Sequence, residues 1–272
     1  MTSRTPHISA MAPSQPAAFE TTVISTCIAH ERVHWRDKDY RRCVVIEQNY
    51  FVKFDDYETL RPRVETQKYI YRYAKSDASA PRVPELLHFF ESEGMGYAVM
   101  EYINLTFPPV LEKAAEKAAE ALKWLSKVPA PPDHALQKLY SASVLLKHRS
   151  LATVLGQSAS ALTRRSRLAP LVEPVRIGDE RLIFTQSDMD PSNFGVDNEG
   201  KTVLLDFGDV GLLPVSFALY TMSSSSIFTA AVAKCLDLPP CSNLKSMAVM
   251  RGYLWVVSDP TLGLDNDGNP RR

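Results

Sequence analysis

Short apolar runs broken by polar turns fill the chain up to about residue 103, and longer, helix-spaced apolar repeats follow. In "RCVVIEQNYFVKF" the runs Cys43 to Ile46 and Tyr50 to Phe54 flank the polar trio Glu47, Gln48 and Asn49, which predicts a β-hairpin. Downstream, Val64, Tyr69, Ile70 and Tyr73 fall near helical spacing, and Pro62 suits the first turn of that helix. A second hairpin is predicted in "PRVPELLHFFESEGMGYAVMEYI", turning between Glu93 and Gly96 into the run Tyr97 to Ile103. From about Asn104 the pattern turns helical. "LEKAAEKAAEALKWLSKV" repeats its apolar residues at helical spacing and is stopped by Pro129, Pro131 and Pro132. Lys138 to about Leu168 is also helical in composition. A last β-rich block reads as the strand "RLIFTQ", a loop, the short strand "NFGVD", the turn "NEG" and the strand "TVLLDF".

This pattern divides the chain into a flexible N-terminal arm over 1–22, rich in Ser, Pro and Ala, a sheet-bearing unit over 23–103 and a mainly helical unit over 104–272. Val210 to Ala233 carries no charge, but Pro214 and the serines from Ser223 to Ser226 interrupt it, so a buried helix is expected there instead of a membrane span.

Composition narrows the partners. With 45% hydrophobic residues the chain has material for a sizeable core. Lys plus Arg and Asp plus Glu both number 31, so the basic excess demanded by nucleic acid or an anionic membrane is missing, and neither partner is expected. Cys27, Cys43, Cys235 and Cys241 do not form a CxxC pair, which predicts reduced, mostly buried thiols in a cytoplasmic protein.

Candidate chemistry concentrates in "TQSDMDPSNFGVDNEGKTVLLDFG". The loop leaving the first strand carries Asp188, Asn193 stands where the next strand begins, and Asp206 ends the strand that pairs back, so all three can meet at one rim. Oxygen ligands without His or Cys favour Mg²⁺ or Mn²⁺ over zinc. Phosphoryl transfer uses such a set, with Asp188 as the base and Asn193 and Asp206 as metal ligands. Asp197 reads as a turn residue, while Asp190 faces the acceptor side of the cleft in this reading. Trp124 reads as core, and the terminal "DNDGNP" lacks the later ligands of a calcium loop.

"SDMDPSN" followed by "LLDFG" resembles the catalytic and metal loops of the kinase-like phosphotransferases, closer to the aminoglycoside phosphotransferase and choline kinase branch than to the protein kinases. The wording is similar to a group of fungal phosphotransferase-like proteins without an assigned substrate. The resemblance covers roughly Arg42 to Met222. It implies a two-lobed, protein-kinase-like α+β fold, with ATP and Mg²⁺ in the cleft and a small-molecule hydroxyl as acceptor. It further implies that Lys53 in "YFVKF" contacts phosphate, with Glu65, or Glu58 in its place, as its ion-pair partner. "VMEYI" then supplies the adenine-binding hinge through Met100, Glu101 and Tyr102. The sequence departs from the family at Gln186, where the family has His, and at Ser187, where it has Gly. Gln186 is assigned with Asp190 to the substrate side of the loop, its amide able to replace the bracing hydrogen bonds of the histidine. No glycine precedes Gly94, so the phosphate-covering glycine loop is missing. These departures keep open a pseudoenzyme that binds nucleotide or a partner without transfer. A protein kinase fits less well, because no A-P-E element follows "DFG" and no long activation loop has room.

Overall fold

The computed structural model describes residues 16–131, 180–224 and 226–249. The helical stretch expected from Lys138 to Leu168 and the terminal "DNDGNP" lie outside the described residues.

Both predicted hairpins form, and they join into one antiparallel sheet. Strands β1 (Cys43–Ile46) and β2 (Tyr50–Asp56) pair with Cys43 opposite Lys53, and β3 (Leu86–Ser92) pairs with β4 (Met95–Glu101), in the order β1-β2-β4-β3. The second turn uses positive φ at Glu93 (52°) and Gly94 (79°). Alternation along the strands sorts the side chains onto two faces. Val52, Phe54, Tyr97 and Val99 pack together on one face, while Phe51, Ala98 and Met100 pack on the other. Lys53 shares its parity with Phe51 and so belongs to the second face.

Each face carries a helix. On the second lies α2 (Tyr57–Ser76), whose Leu60 and Val64 meet Ala98 and Met100. It starts earlier than its proline implied: Asp56 caps it by accepting from the Thr59 N–H at 3.2 Å, and Pro62 sits inside the helix. On the first face lies α1 (Pro16–His34), which sets Val23 and Cys27 against Ile46, Val52 and Val99, with Phe19 packed beside them. The expected arm over 1–22 is therefore helical from Pro16 onward, because Phe19, Val23 and Cys27 recur every fourth residue and bury one stripe.

The other core gathers around α3 (Leu111–Leu125). Its buried stripe is mostly alanine, with Ala115, Ala118, Ala119 and Ala121 beside Leu122 and Leu125, and small side chains let neighbours approach closely. They pack on Phe184, Phe194, Leu204, Phe207 and Leu212 from β5 (Leu182–Gln186), β6 (Phe194–Val196), β7 (Thr202–Leu204), the turn after it and β8 (Val210–Pro214). β6 and β7 form the predicted short hairpin, whereas β5 pairs antiparallel with β8, Gln186 opposite Val210. The charge-free run expected as one buried helix is thus a strand followed by α4 (Val215–Met222) and α5 (Ile227–Leu236). Among the described residues no helix is long and apolar enough to cross a membrane.

The four cysteines are free thiols; Cys27 is buried and the other three are partly exposed. Burial, with help from the Glu31 carboxylate, pushes the Cys27 thiol up to about 12.

Two backbone seams tie the sheet to the β6–β7 hairpin. Arg82 donates its N–H to Thr202 O at 2.7 Å and accepts from Leu204 N at 2.9 Å, while Thr106 and Val196 exchange bonds of 2.8 and 2.9 Å. Arg82 adds its side chain, reaching Glu101 at 2.6 Å and the buried Asp197 at 3.2 Å.

Candidate active site

The β5, β6 and β7 strands deliver the predicted residues to one rim. Asp188 lies two residues beyond β5. Asp190 caps the 3₁₀ turn Pro191–Asn193, accepting from the Ser192 N–H at 2.8 Å and from its hydroxyl at 2.6 Å. Those two bonds hold its carboxyl below the usual carboxylate range, against a smaller burial effect and with a contribution from the Arg41 charge. Asn193 is buried at the end of that turn; its side-chain N–H donates to Asp188 O at 3.0 Å, leaving its amide oxygen as the available acceptor. Its backbone oxygen accepts from Leu205 N at 2.9 Å, so Asn193 stands across the ladder from the residue preceding Asp206.

Asp206 holds an unusual backbone for a non-glycine, left-handed with φ 49° and ψ 74°. Such a conformation costs on the order of 1–3 kcal/mol and persists where surrounding contacts over-determine it. Those contacts are visible. Its Oδ1 accepts from Lys53 Nζ at 2.8 Å and from Gly208 N at 3.2 Å, and its backbone oxygen accepts from Gln186 Nε2 at 2.9 Å. The approach at Gly208 is close, since a Cβ there would meet Asp206 Oδ1 at 3.0 Å and the carboxylate would have to give way. Burial works to raise the Asp206 pKa, but the Lys53 ammonium, the Gly208 N–H and the Arg63 charge outweigh it and lower the net value.

Gln186 is not on a substrate face. It is wholly buried (0% exposed), and its amide bridges the two loops: Oε1 accepts from Asp188 N at 3.1 Å while Nε2 donates to Asp206 O. It sits on the core-facing side of β5, behind the loop it was expected to project from.

The expected partners of Lys53 also lie elsewhere. Glu65 pairs with Lys68 at 2.8 Å and Glu58 with Arg61 at 2.7 Å, both along the outside of α2. Helical phase explains this, because Leu60, Val64 and Gln67 form the inward stripe and Glu65 is turned about 100° from Val64. The α2 residues that line the cleft are Leu60, Arg63 and Gln67. Gln67 donates to Pro84 O at 2.8 Å and to Met100 Sδ at 3.2 Å.

Lys53, Asn193 and Asp206 line a cleft of about 810 Å³, together with Met100, Glu101 and Tyr102. Met100 is buried beneath it, the Glu101 carboxylate is held by Arg82 and the Glu85 N–H, and the Glu101 and Tyr102 N–H groups already donate to Glu85 O and Asn49 O at 3.0 Å. Asp188 does not line this cleft; it lies at its edge, coupled to it through Gln186 and Asn193. Sequence reasoning missed Arg63, Arg41 and Gln67 as lining residues, and the 3.6-residue phase of α2 was the signal that finds the first and last.

Residues 32–237 match the phosphotransferase enzyme family. The fold is similar to the GDP and kanamycin complex of APH(2")-IIia, at TM-score 0.53 and 14% identity over 90% of this chain and 94% of that one. It is also similar to the streptomycin–ATP–APH(2")-IIa ternary complex, at TM-score 0.51 and 14% identity over 93% and 96%. A third structure, the GDP complex of aminoglycoside 2'-phosphotransferase-IIIa, gives TM-score 0.50 and 15% identity over 90% and 89%. A search of curated proteins found no match. The α+β architecture is therefore protein-kinase-like, and the chain belongs to the phosphotransferase enzyme family.

Proposed function

We propose that the protein transfers the terminal phosphate of a nucleoside triphosphate, ATP in the first instance, to a hydroxyl of a small molecule. The observation that carries this reading is the contact between Lys53 on the sheet and Asp206 beyond β7, made at the edge of a cleft large enough for a nucleotide and next to Asn193 and Asp188.

The acceptor hydroxyl oxygen attacks the γ-phosphorus as the bond from γ-phosphorus to the β,γ-bridging oxygen breaks, and the hydroxyl proton passes to the Asp188 carboxylate. Gln186 and Asn193 fix the backbone of Asp188 from both sides, so the base is held in position before substrate arrives. Lys53 neutralises phosphate oxygens once a nucleotide draws it away from Asp206.

The donor set fits Mg²⁺: the Asn193 amide oxygen and the Asp206 carboxylate are both hard oxygens. Among the described residues no three His, Cys, Asp or Glu side chains converge, which matches a metal that completes its coordination with water and phosphate. When bound, the ion neutralises charge that develops on the phosphate oxygens. The adenine edge is read by the backbone after β4. With the Glu101 and Tyr102 N–H groups already committed, the donor role moves to Ile103, which lines the same cleft.

Calorimetric titration of ATP with and without Mg²⁺, on the natural chain and on Asp206→Ala, tests the site. Binding that depends on Mg²⁺ and weakens in the variant is the expected result; no binding in any condition overturns the reading. Asp188→Ala is expected to keep ATP binding while turnover on an accepted substrate falls by about 10²–10⁴-fold, the contribution typical of a positioned base.

A further inference from the structure

A kinase-like sheet normally covers the nucleotide phosphates with a glycine-rich loop. Here the sheet has β1 at its edge, no glycine precedes Gly94, and α1 leads into β1 through residues 35–42. The end of that connection lines the cleft: Tyr40, Arg41 and Arg42 stand in its wall with Lys53, Arg63 and Asp206. Arg41 is fixed at the backbone, because its carbonyl accepts from Cys43 N at 2.8 Å and the next carbonyl, of Arg42, accepts from Phe54 N at 3.0 Å. Arg42 therefore extends the β1–β2 ladder by one residue, and Arg41 directly precedes it.

The charges in this wall are not equally satisfied. Arg42 is held by Glu31 and Asp55, each at 3.0 Å, and Lys53 by Asp206 at 2.8 Å. Arg63 has only a 3.5 Å contact to Asp55, and its buried Nε has no hydrogen-bond partner. Among the described residues Arg41 makes no ion pair; its guanidinium reaches only the Tyr40 carbonyl at 3.5 Å. Two guanidinium groups in the cleft wall are thus left with donors to spare, that of Arg41 exposed to solvent and that of Arg63 with a buried Nε lacking a partner, which is the unfavourable case. A planar, permanently charged fork of this kind matches phosphate oxygens in pairs.

We propose that Arg41 and Arg63 form a guanidinium clamp on the β- and γ-phosphates, side-chain donors taking the place of the backbone N–H groups of a glycine loop. The clamp rests on the reading of the cleft as a nucleotide site. Arg41 closes over the phosphates from the sheet edge, and Arg63 reaches them from α2, at the place where an acidic partner for Lys53 was expected.

The test is a set of affinities for ATP, ADP and AMP, each with Mg²⁺, measured on the natural chain, Arg41→Ala, Arg41→Lys and Arg63→Ala. The clamp touches only the outer phosphates, so Arg41→Ala should weaken ATP by about 10- to 100-fold, the worth of a charge-assisted hydrogen bond, and leave AMP within about twofold. Arg41→Lys should recover part of the loss, since it keeps the charge and loses the fork. AMP binding reports that each variant retains its fold. If the natural chain binds ATP and Arg41→Ala binds it equally well, the clamp is wrong while the nucleotide site stands. Loss of AMP together with ATP in Arg63→Ala would remove Arg63 from the clamp and make it a brace for α2. If the natural chain binds none of the three nucleotides, the site reading fails and the clamp fails with it.

Discussion

Gln186 shows how one buried amide can brace the rim of the candidate site from behind. Its two polar ends are both spent, on the Asp188 N–H and the Asp206 carbonyl, and nothing of it reaches solvent. Gln186→Leu retains most of the volume but strands both backbone groups, at about 1–3 kcal/mol for each. Urea denaturation should therefore show a stability loss of that order, and turnover should fall further than ATP affinity, because the displaced groups position the residues proposed as base and metal ligand. A variant as stable and as active as the natural chain would refute the bracing role. The family resemblance singled this position out, as the place where a histidine was expected, yet it did not say which way the side chain points. That direction depends on β5 pairing with β8, and the strand character of Val210–Pro214 was hidden at the head of a charge-free run whose apolar residues do not alternate with polar ones.

At the level of elements, local signals were the most legible. The β1–β2 and β3–β4 hairpins announce themselves through two polar turns, and the order of Asp188, Asn193 and Asp206 along a strand–loop–hairpin places them at one rim. Pairings between distant segments were not legible. Asp197 reads as a turn residue and is one, accepting from the Glu199 and Lys201 N–H groups at 3.0 and 2.9 Å, but it also holds Arg82 from a distant part of the chain. Burial works to raise its pKa, and the Lys201 and Glu199 N–H groups with the Arg82 guanidinium overcome it, so the folded value lies below the ordinary one. The unfolded chain then binds the proton more readily. The stabilisation is fully present above the unfolded value of about 3.9 and is lost as pH falls through the folded value. Asp197→Asn should lower stability at neutral pH and flatten the decline on the acid side, as read by denaturant unfolding between pH 3 and 7. Parallel curves for the two proteins would show that the carboxylate contributes no linkage.

For the molecule as a whole, the two faces of the four-stranded sheet separate stability from function. Lys53 and Phe51 point to the α2 face, where the cleft opens, while Val52, Phe54, Tyr97 and Val99 point to α1. The helix α1 that covers this face was the largest element missed, because its first residues follow a stretch rich in Ser, Pro and Ala and its apolar stripe is only one residue wide per turn. Val23 sits in that stripe with no exposed surface. Val23→Ala removes two methyl-sized groups and leaves a cavity, a loss of about 2 kcal/mol, which for a chain of this size lowers Tm by roughly 4–8 °C. Since α1 and the cleft lie on opposite faces, ATP affinity measured well below the melting range should not change. If affinity falls in step with Tm, the two faces are mechanically coupled through the sheet; the route is then β1, the strand that pairs its Cys43 with Lys53 on one face and sends Ile46 to α1 on the other.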